Sequence, residues 1–296
     1  MKIITKQDLF FKLFYLFLPL MTGIFLALYS RKIVFIKVTV IFLIFFALFM
    51  FRKSLRRAKA VRAVLPDLWK QIIKKYSVLY RVINGEEKKQ FENDIKIFLK
   101  EFNITAAGSV EIDIETKLLI AIGVATILHG RKEWEPPFKD GVVVYPGETF
   151  DTDFRFNRGE IAGMAGERRP LLITKDILKK SFENSSDGYN SLLHEIAHYF
   201  DFENRGLSGV PLIGNSAENS LKWKNAIENE RAKISDGSSF LRSYGDVNDS
   251  EFFAVATEFF FERPEDMFNE NKELYLLLKK FYNIDMKEYY KEKYLN

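Results

Sequence analysis

Residues 191–201 read SLLHEIAHYFD. Two of the chain's three histidines, His194 and His198, stand here four residues apart, and Glu195 follows the first. Leu192, Leu193, Ile196, Ala197 and Phe200 recur at helical spacing, which predicts a largely buried helix. On a helix, positions i and i+4 share a face, so both imidazoles project the same way. That spacing lets two histidines reach one tetrahedral zinc ion and leaves Glu195 placed to take a proton from a water activated there. The bland alternatives are a chance match in an ordinary helix and a buried, hydrogen-bonded pair of histidines. Burying His194, Glu195 and His198 together is costly unless something compensates them, and a metal cation does so.

The flanking text sets the fold class. Upstream, 66–129 carries three stretches with helical apolar spacing, LPDLWKQIIKKYSVLYRVI, EEKKQFENDIKIFLKEF and IETKLLIAIGVATILHG. GVVVYPG is a short strand closed by Pro-Gly, and RRPLLITKD a second strand leading into a helix. Asp187 or Ser186 is the expected cap of the histidine helix. GLSGVPLIGNS reads as a loop, and helices follow near 218–235, 249–262 and 271–283. The expectation is one helix-rich α+β domain over 66–296 with a small sheet ahead of the histidine helix.

A catalytic zinc site takes three protein ligands and leaves the fourth position open. Cysteine is absent, so the third must be His, Asp or Glu. A histidine six residues past His198 would mark a metzincin; Asn204 stands there, and Asp201 replaces the glycine of that pattern. His129 ends its helix, where the macrodipole favours it as a charged residue rather than a ligand. A carboxylate from elsewhere is therefore required, which describes a gluzincin. The best candidate is Glu251 in YGDVNDSEFFAVATEFFFERP. Its competing role is a capping box with Asn248. Glu258, two turns on, either supports a ligand from behind or lies on an exposed face. Asp201, in the last turn of the histidine helix, opposes the helix dipole, so it either orients a ligand histidine or pins the next loop.

Charge is split along the chain. Residues 1–62 hold 12 Lys and Arg against one acid, Asp8, while the rest holds 32 basic and 39 acidic residues. The body is mildly acidic and lacks a basic stripe with interleaved aromatics, which argues against nucleic-acid binding. The N-terminal excess flanks two apolar runs, at about 9–29 and 33–51, each of roughly 20 residues and so long enough to span a bilayer core. Lys12 and Lys37 near the run ends can snorkel. Arg52, Lys53, Arg56, Arg57, Lys59 and Arg62 follow the second run as a basic juxtamembrane linker, 52–65. The positive-inside rule then predicts a two-helix transmembrane hairpin with its ends and the body in the cytoplasm. The histidine motif lies in the polar body, far from both runs, so an intramembrane protease is not expected.

DGYNSLLHEIAHYFDFENRGLSGVPL together with SYGDVNDSEFFAVATEFFFERPEDM resembles the MtfA-type zinc-dependent peptidases of bacteria. VVVYPGETF, GERRPLLITKD and ELYLLLKKFYNIDM extend the likeness over roughly 66–286. The resemblance implies a zincin-like metallopeptidase fold, one Zn2+ per chain on His194, His198 and Glu251, Glu195 as catalytic base, and a peptide or protein substrate. The catalytic region is also similar to that of anthrax lethal factor, in which a tyrosine precedes the ligand glutamate by seven residues; here that is Tyr244, implied as an oxyanion donor. The typical family member lacks the hairpin, through which this chain would meet membrane lipid. Within the family, binding of a repressor of glucose-transporter expression is known. A regulatory binding protein with a structural or vestigial zinc site is therefore the competing reading.

Overall fold

The computed structural model describes residues 1–147, 170–202 and 217–295. These form two compact units, Met1–Val64 and Leu65–Asn296.

The first unit is a helical hairpin. α1 spans Lys6–Ser30 and α2 spans Val34–Arg62. Thr5 caps α1, its hydroxyl accepting from Asp8 N–H at 3.0 Å. Arg31 ends it in the left-handed region (φ 55°), which turns the chain. Both helices are long and apolar enough to cross a membrane by length and composition. Phe10, Phe25, Leu28 and Phe45 point outward, largely exposed. The helices approach closely at Gly23, where a Cβ would lie 2.1 Å from Thr39 Oγ1. The basic stretch is helical to Arg62, because nothing in RKSLRRAKAVR breaks a helix. Lys12 is 7% exposed and donates to Asp8, in the first turn of α1, at 2.7 Å and to Ser54 on α2 at 3.3 Å.

The second unit is built around one largely buried helix. α3 (Asp67–Tyr76), α4 (Val78–Val82) and α5 (Gly85–Glu101) lead to β1 (Ile104–Ala106) and α6 (Ile114–Leu128). α6 is apolar on every face and nearly every residue of it is buried, the pattern of a central helix. Asp113 starts it by accepting from Thr116 N–H at 2.7 Å, and Lys175 holds that carboxylate at 2.9 Å. β2 (Val142–Tyr145) and β3 (Leu171–Thr174) follow, the latter running directly into α7 (Lys175–Glu183). The three strands pair in parallel in the order β1-β2-β3, with Ile104 opposite Val142 and Val142 opposite Leu171. β1 carries no sequence signal of its own: three residues, ITA, are too few to show a period. Val142, Val144, Leu171 and Ile173 turn inward.

α8 (Ser191–Phe202), the histidine helix, packs against α6. The contact is close because residue 123 is glycine: a Cβ there would fall 2.4 Å from Leu192 Cδ2. Leu192, Leu193, Ile196, Ala197 and Phe200 are buried as the periodicity predicts, each contributing on the order of 2 kcal/mol of burial except the smaller alanine. α9 (Ala217–Asp236), a 3-10 turn (Ser243–Asp246), α10 (Asp249–Glu262), α11 (Pro264–Glu270), α12 (Lys272–Tyr282) and α13 (Met286–Leu295) complete the unit. α10 is buried from Phe252 to Glu262 and lies along α8. Its apolar side closes on Trp223, Phe281 and Tyr282, and Thr257 shares a hydrogen bond with the Tyr282 hydroxyl at 2.8 Å. Helix α10 therefore has no exposed face, and any carboxylate on it past the first turn must find its partners inside the protein.

Candidate metal centre

Asn190 is the N-cap of α8, not Asp187 or Ser186. Its Oδ1 accepts from Leu193 N–H at 3.2 Å, and its Nδ2 donates to Ser181 O at 3.1 Å and to Glu262 Oε1 at 3.0 Å. The earlier acids and hydroxyls are used up in the turn before it: Asp187 accepts from Tyr189 N–H at 2.9 Å, and Ser186 bonds to Asn184. Gly188 makes that turn possible with φ 77°, and its missing Cβ leaves room for the Phe259 ring of α10.

With α8 placed in this way, His194 and His198 face the first turn of α10. Their Nε2 atoms lie 2.9 and 3.4 Å from Glu251 Oε2. One ligand atom from each of the three residues falls within 4.8 Å of the others, a group that could hold a metal ion. Asn248 does cap α10, accepting from Glu251 N–H at 3.0 Å, but the Glu251 carboxylate turns to the histidines rather than back to Asn248. The capping-box role is thus half right: the backbone half is made and the side-chain half is diverted.

Each ring is held from behind. His194 Nδ1 meets Glu258 Oε1 at 2.7 Å, and His198 Nδ1 meets Ser250 Oγ at 3.1 Å. Engaging both Nδ1 atoms directs both Nε2 atoms to the common point, the usual way a protein orients imidazole ligands. Glu258 is 1% exposed, so its exposed-face alternative is excluded. Its other partners are the Arg242 guanidinium and the Asn190 backbone N–H. The Tyr244 ring lies 5.9 Å from the His194 ring, on the 3-10 turn that precedes α10. Arg231 rivets that turn, donating to Asp246 and to Asp249. Glu195, half-buried, follows His194 on α8.

The donor set suits a metal. Two imidazole nitrogens and one carboxylate oxygen are borderline zinc's ordinary ligands, and ligands about 2.0–2.2 Å from a tetrahedral ion stand about 3.3–3.6 Å apart, close to the separations found. The charges agree. Burial opposes protonation of His194, yet Glu251 and Glu258 outweigh it and hold the imidazole up at about 10. Burial would likewise raise Glu251, but its hydrogen bonds to His194 and His198 keep it well below the usual carboxylate range. A buried imidazole drawn into charge between two carboxylates marks a position that calls for a cation. Behind it, burial pushes the Glu262 carboxyl up to about 8 despite the Asn190 amide, with Asp187 and Glu258 adding to the rise.

His129 stays outside this cluster. It caps α6 at 4% exposure, and burial lowers its pKa to about 4, so it is neutral and gains nothing from the helix dipole. The Asp201 side chain lies outside the described residues, as does the 206–216 stretch read as a loop. Sequence reasoning missed Ser250, Arg242 and Asn190. Ser250 adjoins Glu251, and Arg242 precedes Tyr244 by two residues, but no local pattern distinguishes either.

Comparison with known proteins points to a metallopeptidase family. The profile of the family described as glucose-regulated metallo-peptidase M90 matches residues 51–283. An uncharacterized protein of Synechocystis, slr2042, is 24% identical over 247 residues, covering 78% of this chain and 88% of its own length. A protein named Mlc titration factor A from Salmonella arizonae is 26% identical over 185 residues, 57% of this chain and 72% of its own length. Its namesake from Salmonella gallinarum is 26% identical over the same length, covering 68% of that protein.

Proposed function

This chain belongs to the glucose-regulated metallo-peptidase M90 family, and we propose that it is a membrane-anchored, zinc-dependent peptidase with a zincin-like catalytic domain. The observation that carries the reading is the convergence of His194 Nε2, His198 Nε2 and a Glu251 oxygen while both Nδ1 atoms are engaged elsewhere. A zinc ion held by these three residues supplies Lewis-acid polarisation of a carbonyl and makes water acidic near neutral pH. The residues do the rest. Glu195 takes the proton of the attacking water and returns it to the leaving amine. Tyr244 donates a hydrogen bond to the oxyanion that develops as the peptide carbonyl becomes tetrahedral. Glu258 keeps the His194 ring in register. Removing the metal with a chelator should abolish peptide hydrolysis by the purified chain, and Zn2+ should restore it. Hydrolysis that survives complete metal removal would sink the proposal.

The α1–α2 hairpin anchors this domain, its outward apolar residues facing lipid and the basic end of α2 lying at the cytoplasmic surface. A reporter fused after Asn296 should behave as cytoplasmic; activity only on the opposite side of the membrane would overturn that orientation. A second reading, a protein that binds a regulator and keeps its metal for structure, is favoured by the name Mlc titration factor A carried by relatives. Glu195 speaks for catalysis, because a purely structural site gains nothing from a base beside its first ligand.

A further inference from the structure

Taking the metal reading of this centre as its basis, we infer that Arg242 is a positioning residue that sets the His194 ring through Glu258. The Glu258 carboxylate is 1% exposed, and its partners among the described residues are His194, Asn190 and Arg242. Oε1 is shared between His194 Nδ1 and the Arg242 guanidinium, and Oε2 takes the Asn190 backbone N–H. Two of these three donors, the imidazole and the Asn190 amide, are on α8 or at its cap. Arg242 is the third, and it comes from the separate chain segment before the 3-10 turn. Without it, among the described residues, the carboxylate would be held only by the element that it is meant to orient.

Arg242 is itself held in place. Its guanidinium lies over the Tyr189 ring at 4.5 Å from the centroid, and Tyr189 N–H donates to Glu262 Oε2 at 3.1 Å. The guanidinium, Glu258 and Glu262 thus tie the entry to α8 to the last two turns of α10. A guanidinium suits this task better than an ammonium, because its planar fork can stack on the tyrosine and donate in the ring-parallel plane together. Because Arg242 reaches the metal position only through Glu258 and His194, losing it should loosen the site without deleting a ligand. That is the effect known for the outer partners of ligand histidines, where losses of about 10- to 100-fold in metal affinity are usual.

The test uses the full chain purified in detergent micelles. Zn2+ affinity is measured by competition with a chromophoric chelator for wild type, Arg242→Met, Arg242→Lys, Glu258→Gln, Arg242→Met/Glu258→Gln and His194→Ala. Arg242→Met should bind zinc about 10-fold more weakly, and Arg242→Lys should recover part of that loss. The double variant should match Glu258→Gln within about 2-fold, since Arg242 has no route to the histidine once its carboxylate partner is changed. Wild-type affinity in Arg242→Met overturns the inference. So does a double variant whose loss is the product of the two single losses, which is the mark of general loosening. Should Arg242→Met fail to fold, Arg242→Lys decides: an affinity below wild type supports the role, and equal affinity overturns it. Failure of the underlying reading looks different: wild type takes up no zinc, or His194→Ala binds it as tightly, and Arg242 then loses its role together with the site.

Discussion

Glu195→Gln is expected to keep its metal and its fold and to lose at least about 10²-fold in kcat toward peptides, the scale on which a positioned general base contributes. Glutamine matches glutamate in size and keeps much of its hydrogen bonding, but it takes no proton at neutral pH. Because Glu195 is not among the three converging residues, zinc content should stay at wild-type level. The same variant separates the two readings of the protein. A regulator-binding protein with a structural metal has no turnover to lose, and its partner affinity would be indifferent to the change. Hydrolysis unchanged in Glu195→Gln would mean a contaminant or another site, and the histidine pair would then be a metal clip.

The metal itself should depend on the three ligand candidates in a graded way. His194→Ala and His198→Ala should each abolish stoichiometric zinc binding. Each removes a nitrogen donor, and His194→Ala also leaves Glu258 buried without one of its partners. Glu251→Ala should weaken binding by more than about 100-fold, beyond what the loss of an outer partner usually costs. Glu258→Ala should fall within about 10- to 100-fold. Metal analysis after dialysis against a weak chelator reads all four. Full zinc in Glu251→Ala with none in Glu258→Ala would reverse the assignment of the two glutamates.

Much of this centre was legible in the chain before its tertiary structure. The spacing of His194 and His198 and the apolar residues around them define one buried helical face, because helix geometry is a local property. The Asn248–Glu251 capping relation is legible for the same reason. Another local detail was misread where a neighbour outbid the expected partner: Asn190 rather than Asp187 caps α8, because Gly188 turns the chain late.

By itself, the sequence determined the helix that carries the histidines, the absence of cysteine, and the two apolar runs long enough to cross a bilayer. Only the tertiary structure decided which carboxylate answers which imidazole nitrogen. Glu251 lies 57 residues from His194 along the chain and meets Nε2, whereas Glu258, 64 residues away, meets Nδ1. Both acids sit on one helix and nearly one face, so periodicity cannot rank them. What ranks them is where α10 crosses α8: its first turn lies in front of the rings, and its buried interior lies behind them, within reach of Arg242 and the Asn190 amide. That crossing is set by close packing of side chains distant in sequence, such as Phe259 against the bare Cα of Gly188, and no local pattern records it.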